Sequence, residues 1–358
     1  MWERTYVGLD VHARSVIAGV LDADTGEVFA RQLSAQPEAI IGWLEQLPGP
    51  VAVAYEAGPT GFRLARMLDA AGVRCLVVAP SKLERPAGDR VKTDRRDAER
   101  LARLLRIGEV RAVRVPTEAE EAARDLVRAR EDARGDLMRA RHRVSKLLLR
   151  RGLVYDGSAW TAAHEQWLRR IRFGQAPLSV AFDEAREAVL TAEARRDRLD
   201  RAIAELALEP AWAPVVSRLC CLRGVGVLTG VALAVEIGDW TRFSGATIGA
   251  YLGLVPSEDS TGQRRSQGAI TKTGNTHARR LLVEAAWHHR RPWRPSRELL
   301  RRQQGVAATI RHRADAGNRR LHQRWQRLDA RGKRSTITAV AVARELAGWC
   351  WSLAVLDA

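Results

Sequence analysis

The sequence contains few cysteines, and they form no zinc-binding pattern. The four cysteines are Cys75, Cys220, Cys221 and Cys350, and their spacing matches neither a zinc site nor a disulfide framework. We therefore expect reduced thiols in the core. A zinc finger and a clear DNA-reading helix are also missing from the sequence, so direct base readout by a known motif is not indicated.

Long hydrophobic runs are missing as well. The longest apolar stretch, Ile337–Leu356, is interrupted by Arg344 and Glu345, which favours a buried or interface helix over a membrane span. The first residues, Met1-Trp2-Glu3-Arg4, lead directly into a strand pattern without the features of a signal peptide. These observations predict a cytoplasmic protein.

Acidic residues are outnumbered by basic ones. The 358 residues include 59 Lys or Arg and 42 Asp or Glu, so the formal net charge is +17. Between positions 290 and 334, fifteen basic residues stand against three acids. A charge run is often only a solvated face, but an excess of one sign favours contact with nucleic acid, in binding that weakens as salt rises.

The first part of the chain has the pattern of an α/β domain. Strands are predicted at residues 6–9, 16–21, 28–33, 51–55 and 73–78, and helices at 40–47 and 61–71. The order β-β-β-α-β-α-β predicts a mixed sheet whose early strands form hairpins and whose later strands run parallel. This is the order of the ribonuclease H-like fold.

The middle of the chain predicts long helices. Core positions recur at alternating steps of four and three over residues 119–147, where only Arg130 departs from the pattern, and over 185–206, where only Arg196 does. Such heptads are typical of coiled coils, and we expect this region to hold subunits together. An alanine-rich seam suits an intramolecular helical hairpin equally well. The stretch between the two series is interpreted as a connection.

The last part contains a glycine turn between helical runs. Leu222-Arg223-Gly224-Val225-Gly226, followed by the apolar run Thr229–Val235, resembles a helix-hairpin-helix. The glycines would let backbone amides approach a phosphate, with a helix N-terminus behind them. A Gly-Val-Gly turn is also a common device for close packing, so the motif alone does not decide between the two roles.

Four carboxylates lie where strands and a helix would bring them together. Asp10 and Glu56 each end a β-rich run, and Asp94 and Asp97 share one face of a helical pattern. Carboxylates at the ends of parallel strands point into the crevice where such sheets bind ligands. Any one of these acids is as easily a turn or cap residue. Together they predict a divalent-metal site for Mg²⁺ or Mn²⁺, suited to reactions on phosphate esters.

A second candidate site is the polar turn Pro256–Gly262, which lies between an apolar helical run and a basic segment. Most serines in such turns only cap or turn the chain. Composition alone therefore gives a nucleophilic serine little support.

Several short motifs, each weak alone, occur in order along the chain. They are Gly8-Leu9-Asp10, Glu56-Ala57, Lys92-Thr93-Asp94-Arg95-Arg96-Asp97-Ala98, Arg223-Gly224-Val225-Gly226, Gly253-Leu254-Val255-Pro256, Ser260-Thr261-Gly262 and Lys272-Thr273-Gly274-Asn275. In this combination the chain resembles the DEDD transposases of the insertion-sequence 110 family, also called bridge-RNA-guided recombinases. The resemblance covers nearly the whole chain and is weakest between about residues 152 and 210.

The resemblance implies an α/β domain followed by all-α domains. It implies a RuvC-like (ribonuclease H-like) DEDD catalytic domain over residues 1–116 and a coiled-coil or helical linker domain over 117–209. Residues 210–358 would form a helical C-terminal transposase domain, with the helix-hairpin-helix-like motif and the nucleophilic serine. A bacterial, nucleoid-associated protein is expected.

The resemblance also implies the site residues. Asp10, Glu56, Asp94 and Asp97 correspond to the acidic tetrad that holds metal ions in the family. The nucleophilic serine of the family precedes the glycine of the turn, and the family often shows Ser-Ser-Gly there. Because this chain has Thr261 before the glycine, we choose Ser260, the only serine of the pair.

The reaction implied is DNA strand cleavage and rejoining. A serine hydroxyl needs a base or a metal to activate it, and metal ions on the tetrad could polarise the scissile phosphate for attack by Ser260. A phosphoserine bond would conserve the ester energy for rejoining. In the family, carboxylates of one subunit work with the serine of another, so a homo-oligomer, dimer or tetramer, is expected.

The resemblance further implies a structured guide RNA, the bridge RNA, that pairs with both donor and target DNA, while the protein reads shape and backbone. We assign nucleic-acid contacts to basic and glycine-rich positions of the motifs and the basic segment. They are Lys92, Gly224, Gly226, Arg264, Arg265, Lys272, Asn275, Arg279, Arg280, Arg319, Arg320 and Arg324.

Two alternatives remain open. The first is a RuvC-like, metal-dependent DNA junction nuclease that uses water as the nucleophile and forms no covalent adduct with DNA. The second is a nucleic-acid-binding protein with a degenerate site, whose function would be insensitive to loss of Asp10 or Glu56.

Overall fold

The computed structural model describes residues 3–80, 83, 93–262 and 266–356. The chain divides into two compact units, Met1–Thr117 and Glu118–Ala358. The division of the second unit into a linker and a transposase domain stays a prediction. Three motif residues, Lys92, Arg264 and Arg265, lie outside the described residues.

The first unit is a mixed α/β domain. Its elements are β1 Thr5–Val11, β2 Ser15–Asp22, β3 Val28–Ser34, α1 Pro37–Leu44, β4 Val51–Glu56, α2 Arg63–Ala70, β5 Arg74–Val78 and α3 Asp94–Arg106. The sheet order is β3-β2-β1-β4-β5, with β1, β2 and β3 antiparallel and β4 and β5 parallel to β1. The predicted hairpins and parallel strands are confirmed. The first predicted helix begins earlier than expected, because Pro37 suits the first turn of a helix.

Side chains alternate between two faces of the sheet. On one face, Leu9 and Tyr55 pack in a core with residues of α1 and α2, including Ile40. On the other face, Tyr6 and the small residues of β4 pack against the apolar stripe of α3, centred on Leu101. Helices therefore cover both faces, and the even-numbered residues of β1 and β4 face α3.

Two glycines set the distance between α3 and the sheet. Gly8 and Gly19 are cross-strand partners on β1 and β2. A Cβ on Gly8 would lie 2.1 Å from the carbonyl oxygen of Ala98, and one on Gly19 would lie 2.4 Å from the amide nitrogen of Glu99. Because no side chain separates them, the backbone of α3 lies directly on the strands.

The second unit is mainly helical. Its elements are α4 Glu118–Leu149, α5 Ala162–Arg170, α6 Ala176–Leu206, α7 Ala213–Leu219, α8 Val227–Ile237, α9 Ile248–Tyr251, β6 Pro256–Glu258, β7 Gln267–Ile270, α10 Thr276–Ala286, α11 Arg297–Arg302, α12 Ala308–Asp329 and α13 Ser335–Ala354. The four cysteines are free thiols; Cys220, Cys221 and Cys350 are buried and Cys75 is half-buried. In the described part of the chain, no helix has the length and apolarity needed to cross a membrane.

The two long helices α4 and α6 pack as an antiparallel pair within the chain. The order of their ion pairs fixes the direction: Arg130 binds Asp200 at 2.7 Å, whereas Arg141, further along α4, binds Glu193. Arg130, which departs from the predicted seam, thus has a partner on the opposite helix. The heptad series form this hairpin, the alternative to a coiled coil between subunits, and assembly through the region stays a prediction.

The connection between α4 and α6 is more ordered than expected. It contains α5 and an aromatic cluster in which Tyr155, Trp160 and Trp167 surround His164, with ring centroids 4.9–5.5 Å apart. The interpretation of this stretch as a simple connection was incomplete.

The C-terminal apolar stretch forms α13, at the centre of the helical core. Leu346 and Leu353 are fully buried, and α13 packs against α10 and α12. The prediction of a buried helix is confirmed. The predicted glycine turn joins α7 to α8, with Gly224 in the left-handed region at φ 86°.

Candidate active site

The strand ends of the first unit place two acids side by side in sequence register. Leu9 on β1 is aligned with Tyr55 on the parallel strand β4, so Asp10 and Glu56 occupy the next positions on neighbouring strands. Both are even-numbered and lie on the face covered by α3. The structure therefore brings these two predicted ligands to one edge of the sheet.

The first turn of α3 brings a third acid to the same place. Thr93 caps the helix by accepting a hydrogen bond from the Arg96 amide at 3.3 Å, and Asp94 follows immediately. His12 Nε2 lies 3.5 Å from Asp10 Oδ1 and 3.5 Å from Asp94 Oδ2. One ligand atom from each of Asp10, His12 and Asp94 lies within 4.8 Å of the others.

The charges at this edge act on one another. Burial raises the pKa of Asp10, His12 opposes the rise, and the carboxylates of Asp94 and Asp97 raise the pKa further. A cation placed among these oxygens would relieve the repulsion, so the donor set suits a divalent ion. Asp97 is half-buried and close enough to act on Asp10, whereas Glu56 is placed here by strand register alone.

His12 is a residue that the sequence reasoning missed. It follows Asp10 by two positions, the spacing at which an extended chain presents side chains on the same side. A neutral imidazole binds transition metals better than Mg²⁺, so its presence widens the range of ions that the donor set suits. The pattern Asp10-Val11-His12 was the available signal.

The serine turn lies in a hairpin of the second unit. Strands β6 and β7 are antiparallel, and Ser260 follows β6 in an exposed position. The Ser260 hydroxyl donates to Glu258 Oε1 at 3.1 Å and accepts from the Ser266 amide at 3.2 Å. Gln267 Nε2 donates to the other oxygen of Glu258 at 3.2 Å.

Glu258 is the second residue that sequence reasoning missed. An exposed serine whose hydroxyl donates to a carboxylate has the arrangement of a nucleophile with a proton acceptor. The spacing Glu258-Asp259-Ser260 gave a weak signal, since adjacent acids in a polar turn are common.

The comparisons with known proteins agree along nearly the whole chain. A family model for DEDD transposases of insertion sequence 110, described as “Transposase”, matches residues 7–151. A second, described as “Transposase IS116/IS110/IS902 family”, matches residues 216–300. The protein y4qE of Sinorhizobium fredii, which carries a transposase name, is 41% identical over 360 residues, covering 99% of this chain and 89% of y4qE. The chain belongs to the IS110 family of transposases.

A second relative covers almost the same span. The transposase for insertion sequence element IS1533 of Leptospira borgpetersenii is 32% identical over 343 residues, 93% of this chain and 99% of the relative. As an IS110-family transposase, the protein is an enzyme that cleaves and rejoins DNA. Its DEDD-type domain and the acidic cluster at Asp10 indicate use of a divalent metal.

The Lys272–Asn275 motif of this IS110-family transposase packs against the base of the serine hairpin. A Cβ on Gly253 would lie 2.3 Å from the Thr273 carbonyl oxygen, and one on Gly274 would lie 1.9 Å from the Tyr251 carbonyl oxygen. Arg279 Nη1 donates to the carbonyl oxygens of Leu252 and Thr273, both at 2.9 Å. The glycines and Arg279 thus join two motifs into one platform, and Lys272 in this loop is exposed.

Asn275 is held at both ends of its side-chain amide. Its Oδ1 caps α10 by accepting from the Ala278 amide at 2.9 Å, and its Nδ2 donates to Glu236 Oε2 at 2.7 Å. Glu236 is 2% exposed and also accepts from Arg128 at 3.2 Å. Burial acts to raise the pKa of Glu236, but hydrogen bonds from His277, Arg128 and Asn275 hold it at about 2.

The glycines of the α7–α8 turn differ in their surroundings. A Cβ on Gly224 would lie 2.5 Å from the Ala285 carbonyl oxygen, so this glycine allows close packing against α10. Gly226 is the N-cap of α8, and a Cβ there would meet only Arg302, at 3.7 Å. The packing role applies to Gly224, and phosphate contact at either glycine stays a prediction.

The remaining predicted nucleic-acid contacts have acidic partners within the chain. Arg280 binds Glu131 at 2.6 Å. On α12, Arg319 binds Asp315 at 2.9 Å, and Arg320 and Arg324 share Glu345 at 2.9 and 3.8 Å. The three α12 side chains are nevertheless 64%, 45% and 40% exposed, so the basic face remains accessible to a polyanion.

Proposed function

We propose that this transposase cuts and rejoins DNA through a phosphoserine intermediate at Ser260, assisted by divalent metal ions held by Asp10, Glu56, Asp94 and Asp97. The observation that carries the proposal is the hydrogen bond from Ser260 Oγ to Glu258 Oε1, at 3.1 Å in an exposed hairpin. It gives the nucleophile a proton acceptor and leaves the oxygen accessible to a backbone phosphate.

In the proposed step, Ser260 Oγ attacks the scissile phosphorus and its proton passes to Glu258. The Oγ–P bond forms, the P–O bond to the departing strand breaks, and the electron pair leaves with the deoxyribose oxygen. Rejoining reverses the step, because an incoming strand oxygen attacks the phosphorus and displaces Oγ, which takes its proton back from Glu258. Mg²⁺ or Mn²⁺, when bound, would supply positive charge that polarises the phosphate and stabilises the leaving oxygen.

The partners complete the proposal. We infer that a structured bridge RNA, paired with donor and target DNA, selects the sites, since the sequence contains no clear base-reading motif. We also propose that the active form is a homo-oligomer in which the acids of one subunit act with the serine of another. Both rest on the resemblance of the ordered motifs to the bridge-RNA-guided recombinases, and the large basic excess supports the RNA partner.

The decisive experiment looks for the covalent intermediate. Protein, its flanking RNA and a labelled DNA junction are incubated with Mg²⁺, and the products are separated on a denaturing gel. We expect a protein–DNA adduct with the wild type, none with Ser260→Ala, and a retained adduct with the matched variant Thr261→Ala. Ser260→Ala should cost at most about 1 kcal/mol of stability, because the side chain is exposed.

Mass spectrometry of the trapped adduct identifies the modified residue. Phosphate on Thr261 or Ser257 would correct the choice of Ser260 but keep the serine-type mechanism. A wild type that cleaves DNA without any adduct, together with an active Ser260→Ala, would instead identify a water-using, RuvC-like junction nuclease. That alternative is favoured by the acidic cluster, which needs no serine for metal-assisted hydrolysis.

A further inference from the structure

An exposed tryptophan at the end of α10 lies beside a group of arginines. Trp287 is 38% exposed, and its ring packs against that of Trp325, which is 2% exposed, with centroids 5.4 Å apart. The buried Trp325 fixes the position of the exposed indole. Among the described residues, Trp287 is the only aromatic side chain among the large exposed hydrophobics.

Trp287 forms one wall of a cavity of about 410 Å³ whose other walls are cationic or titratable. The cavity is lined by Arg223, Trp287, His288, Arg290 and Arg291. Its volume is within the range of small-ligand sites, about 300–1,000 Å³. A second cavity of about 480 Å³ shares Arg223 and His288 and reaches Gly226, at the N-terminus of α8.

The arginines of this cavity have no acidic partner in the described part of the chain, in contrast to Arg319, Arg320 and Arg324 of α12. Arg223 is held in place because its Nη1 donates to the carbonyl oxygens of Arg291 and Pro292, at 3.0 and 2.9 Å. Burial lowers the pKa of Arg223, and the nearby charge of Arg291 lowers it further. A bound anion would relieve this repulsion between like charges.

An aromatic face beside uncompensated guanidinium groups matches the two parts of a nucleotide. The arginines suit the phosphodiester, and the indole suits a base whose face is free. Inside an undistorted duplex both faces of each base are covered by neighbours, so an indole stacks there only at the cost of unstacking, whereas an unpaired base offers a free face. We propose that the cavity formed by Arg223, Trp287, His288, Arg290 and Arg291 binds an unpaired nucleotide of single-stranded nucleic acid.

This inference rests on nucleic acid as the substrate of the proposed function but not on Ser260 as nucleophile. The binding experiment is therefore performed with the full chain carrying Ser260→Ala, in which no adduct is expected. Fluorescence anisotropy measures the affinity for labelled single-stranded DNA, single-stranded RNA and duplex DNA at fixed salt. The preferred single strand identifies whether displaced DNA or RNA supplies the unpaired nucleotide.

Trp287→Ala should weaken single-strand binding by about 5- to 150-fold, the range expected for loss of one stacked base, while duplex binding changes less than about twofold. Trp287→Phe should retain most of the affinity, since a phenyl ring still stacks. Unchanged single-strand binding by Trp287→Ala, or an equal loss on duplex, would overturn the proposal.

Trp287→Ala also removes a contact with Trp325 and could therefore disturb the fold. Two further measurements test the site in proteins that keep Trp287. Arg290→Gln with Arg291→Gln should lower the salt slope of single-strand binding by up to about two units, while the matched pair Arg198→Gln with Arg201→Gln on α6 should not. Equal slopes for the two pairs would count against the site. In the Trp287-containing protein, photocrosslinking to strands carrying 5-iodouracil should modify Trp287, and adducts found only elsewhere would refute the contact.

Discussion

Two carboxylate centres of this transposase have opposite electrostatics. At the strand ends of the first unit, Asp10 and Asp94 are 27% and 57% exposed, and the pKa of Asp10 is raised. In the second unit, Glu236 is almost fully buried, yet three hydrogen-bond donors hold its pKa at about 2. Burial opposes ionisation of both carboxylates, so the number of hydrogen-bond donors around each one decides whether its pKa is raised or lowered.

The difference separates a site that is built for a ligand from one that is built for stability. Glu236 already has its compensating charge in Arg128, and its partner Asn275 caps α10. The acids around Asp10 repel one another, and a bound cation would supply the missing charge. The pKa shift is thus upward for the carboxylate that faces other acids and downward for the carboxylate whose hydrogen-bond donors are supplied by the fold.

The largest effect is expected at the acidic cluster around Asp10. Asp10→Ala should abolish DNA cleavage, because the carboxylate at the centre of the acidic cluster is lost. Folding should be nearly unchanged, since Asp10 has no hydrogen-bonding role comparable to that of Glu236. Gel assays of cleavage and circular dichroism measure the two properties, with Asp24→Ala, in an exposed turn, as the matched control. Retained cleavage by Asp10→Ala would show that the Asp10 carboxylate is not needed for DNA cleavage.

A substitution of the buried Glu236 should lower the stability of the fold. Glu236→Gln replaces a carboxylate that accepts from Arg128, Asn275 and His277 by an amide that brings its own hydrogens. The free energy of unfolding should fall by about 2–5 kcal/mol at pH 7, measured by urea denaturation. Glu205→Gln, on the exposed side of α6, should have almost no effect.

The stability lost in Glu236→Gln should depend on pH. Because the folded-state pKa of Glu236 is depressed, its stabilisation is fully present above the ordinary value of 4.5 and is lost as pH falls toward about 2. The stability difference between wild type and Glu236→Gln should therefore shrink over this acidic interval. A constant difference from pH 6 to pH 2.5 would show that the carboxylate is not held ionised.

Three arginines of α12, Arg319, Arg320 and Arg324, are exposed but paired with acids. Replacing Arg319, Arg320 and Arg324 together by Gln should weaken nucleic-acid binding and lower the salt slope by one to three units, about one for each lost phosphate contact. Anisotropy titrations from 50 to 300 mM salt measure the slope. The α6 variant lacking Arg195, Arg198 and Arg201 removes the same charge and controls for a purely global effect. An unchanged slope in the α12 variant would make this segment a solvated face.

The smallest effect is a thermal shift. Mg²⁺ should raise the melting temperature of the wild type by a few degrees, because binding to the folded state alone adds stability. Asp94→Asn should show a smaller Mg²⁺ shift, although its melting temperature without metal should be equal or higher, since a repelling charge is gone. Equal Mg²⁺ shifts in the two proteins would exclude Asp94 as a ligand. Mn²⁺ in the same assay tests the contribution of His12.

Much of the first unit was predictable because strands and their ends follow from local pattern. A short β-rich run predicted β1 and a run that is apolar throughout predicted β4, and parallel strand ends placed Asp10 beside Glu56 without any knowledge of side-chain contacts. The helical acids required only that Asp94 start a helix. What the pattern cannot give is the distance between α3 and the sheet, which depends on the glycine contacts.

Side-chain partners were the part that sequence could not supply. His12 and Glu258 were missed because their significance depends on atoms that approach to 3.5 and 3.1 Å across a turn. Charge counting treated Arg319, Arg320 and Arg324 as free, although each has an acid nearby in the fold. The middle connection is more ordered than predicted, because the helical spacing of Trp160, His164 and Trp167 was not used as a signal for α5 and its aromatic cluster.

The contact at Gly8 makes the spacing of the acidic centre a property of the main chain. A methyl group there would sit 2.1 Å from the Ala98 oxygen and push α3 outward, carrying Asp94 and Asp97 with it. A substitution at Gly8 would therefore change the spacing of the acidic side chains without altering any charged or polar group. Because no Cβ stands between the helix and the strands at Gly8 and Gly19, these two glycines set the distance between the acids of β1 and those of α3.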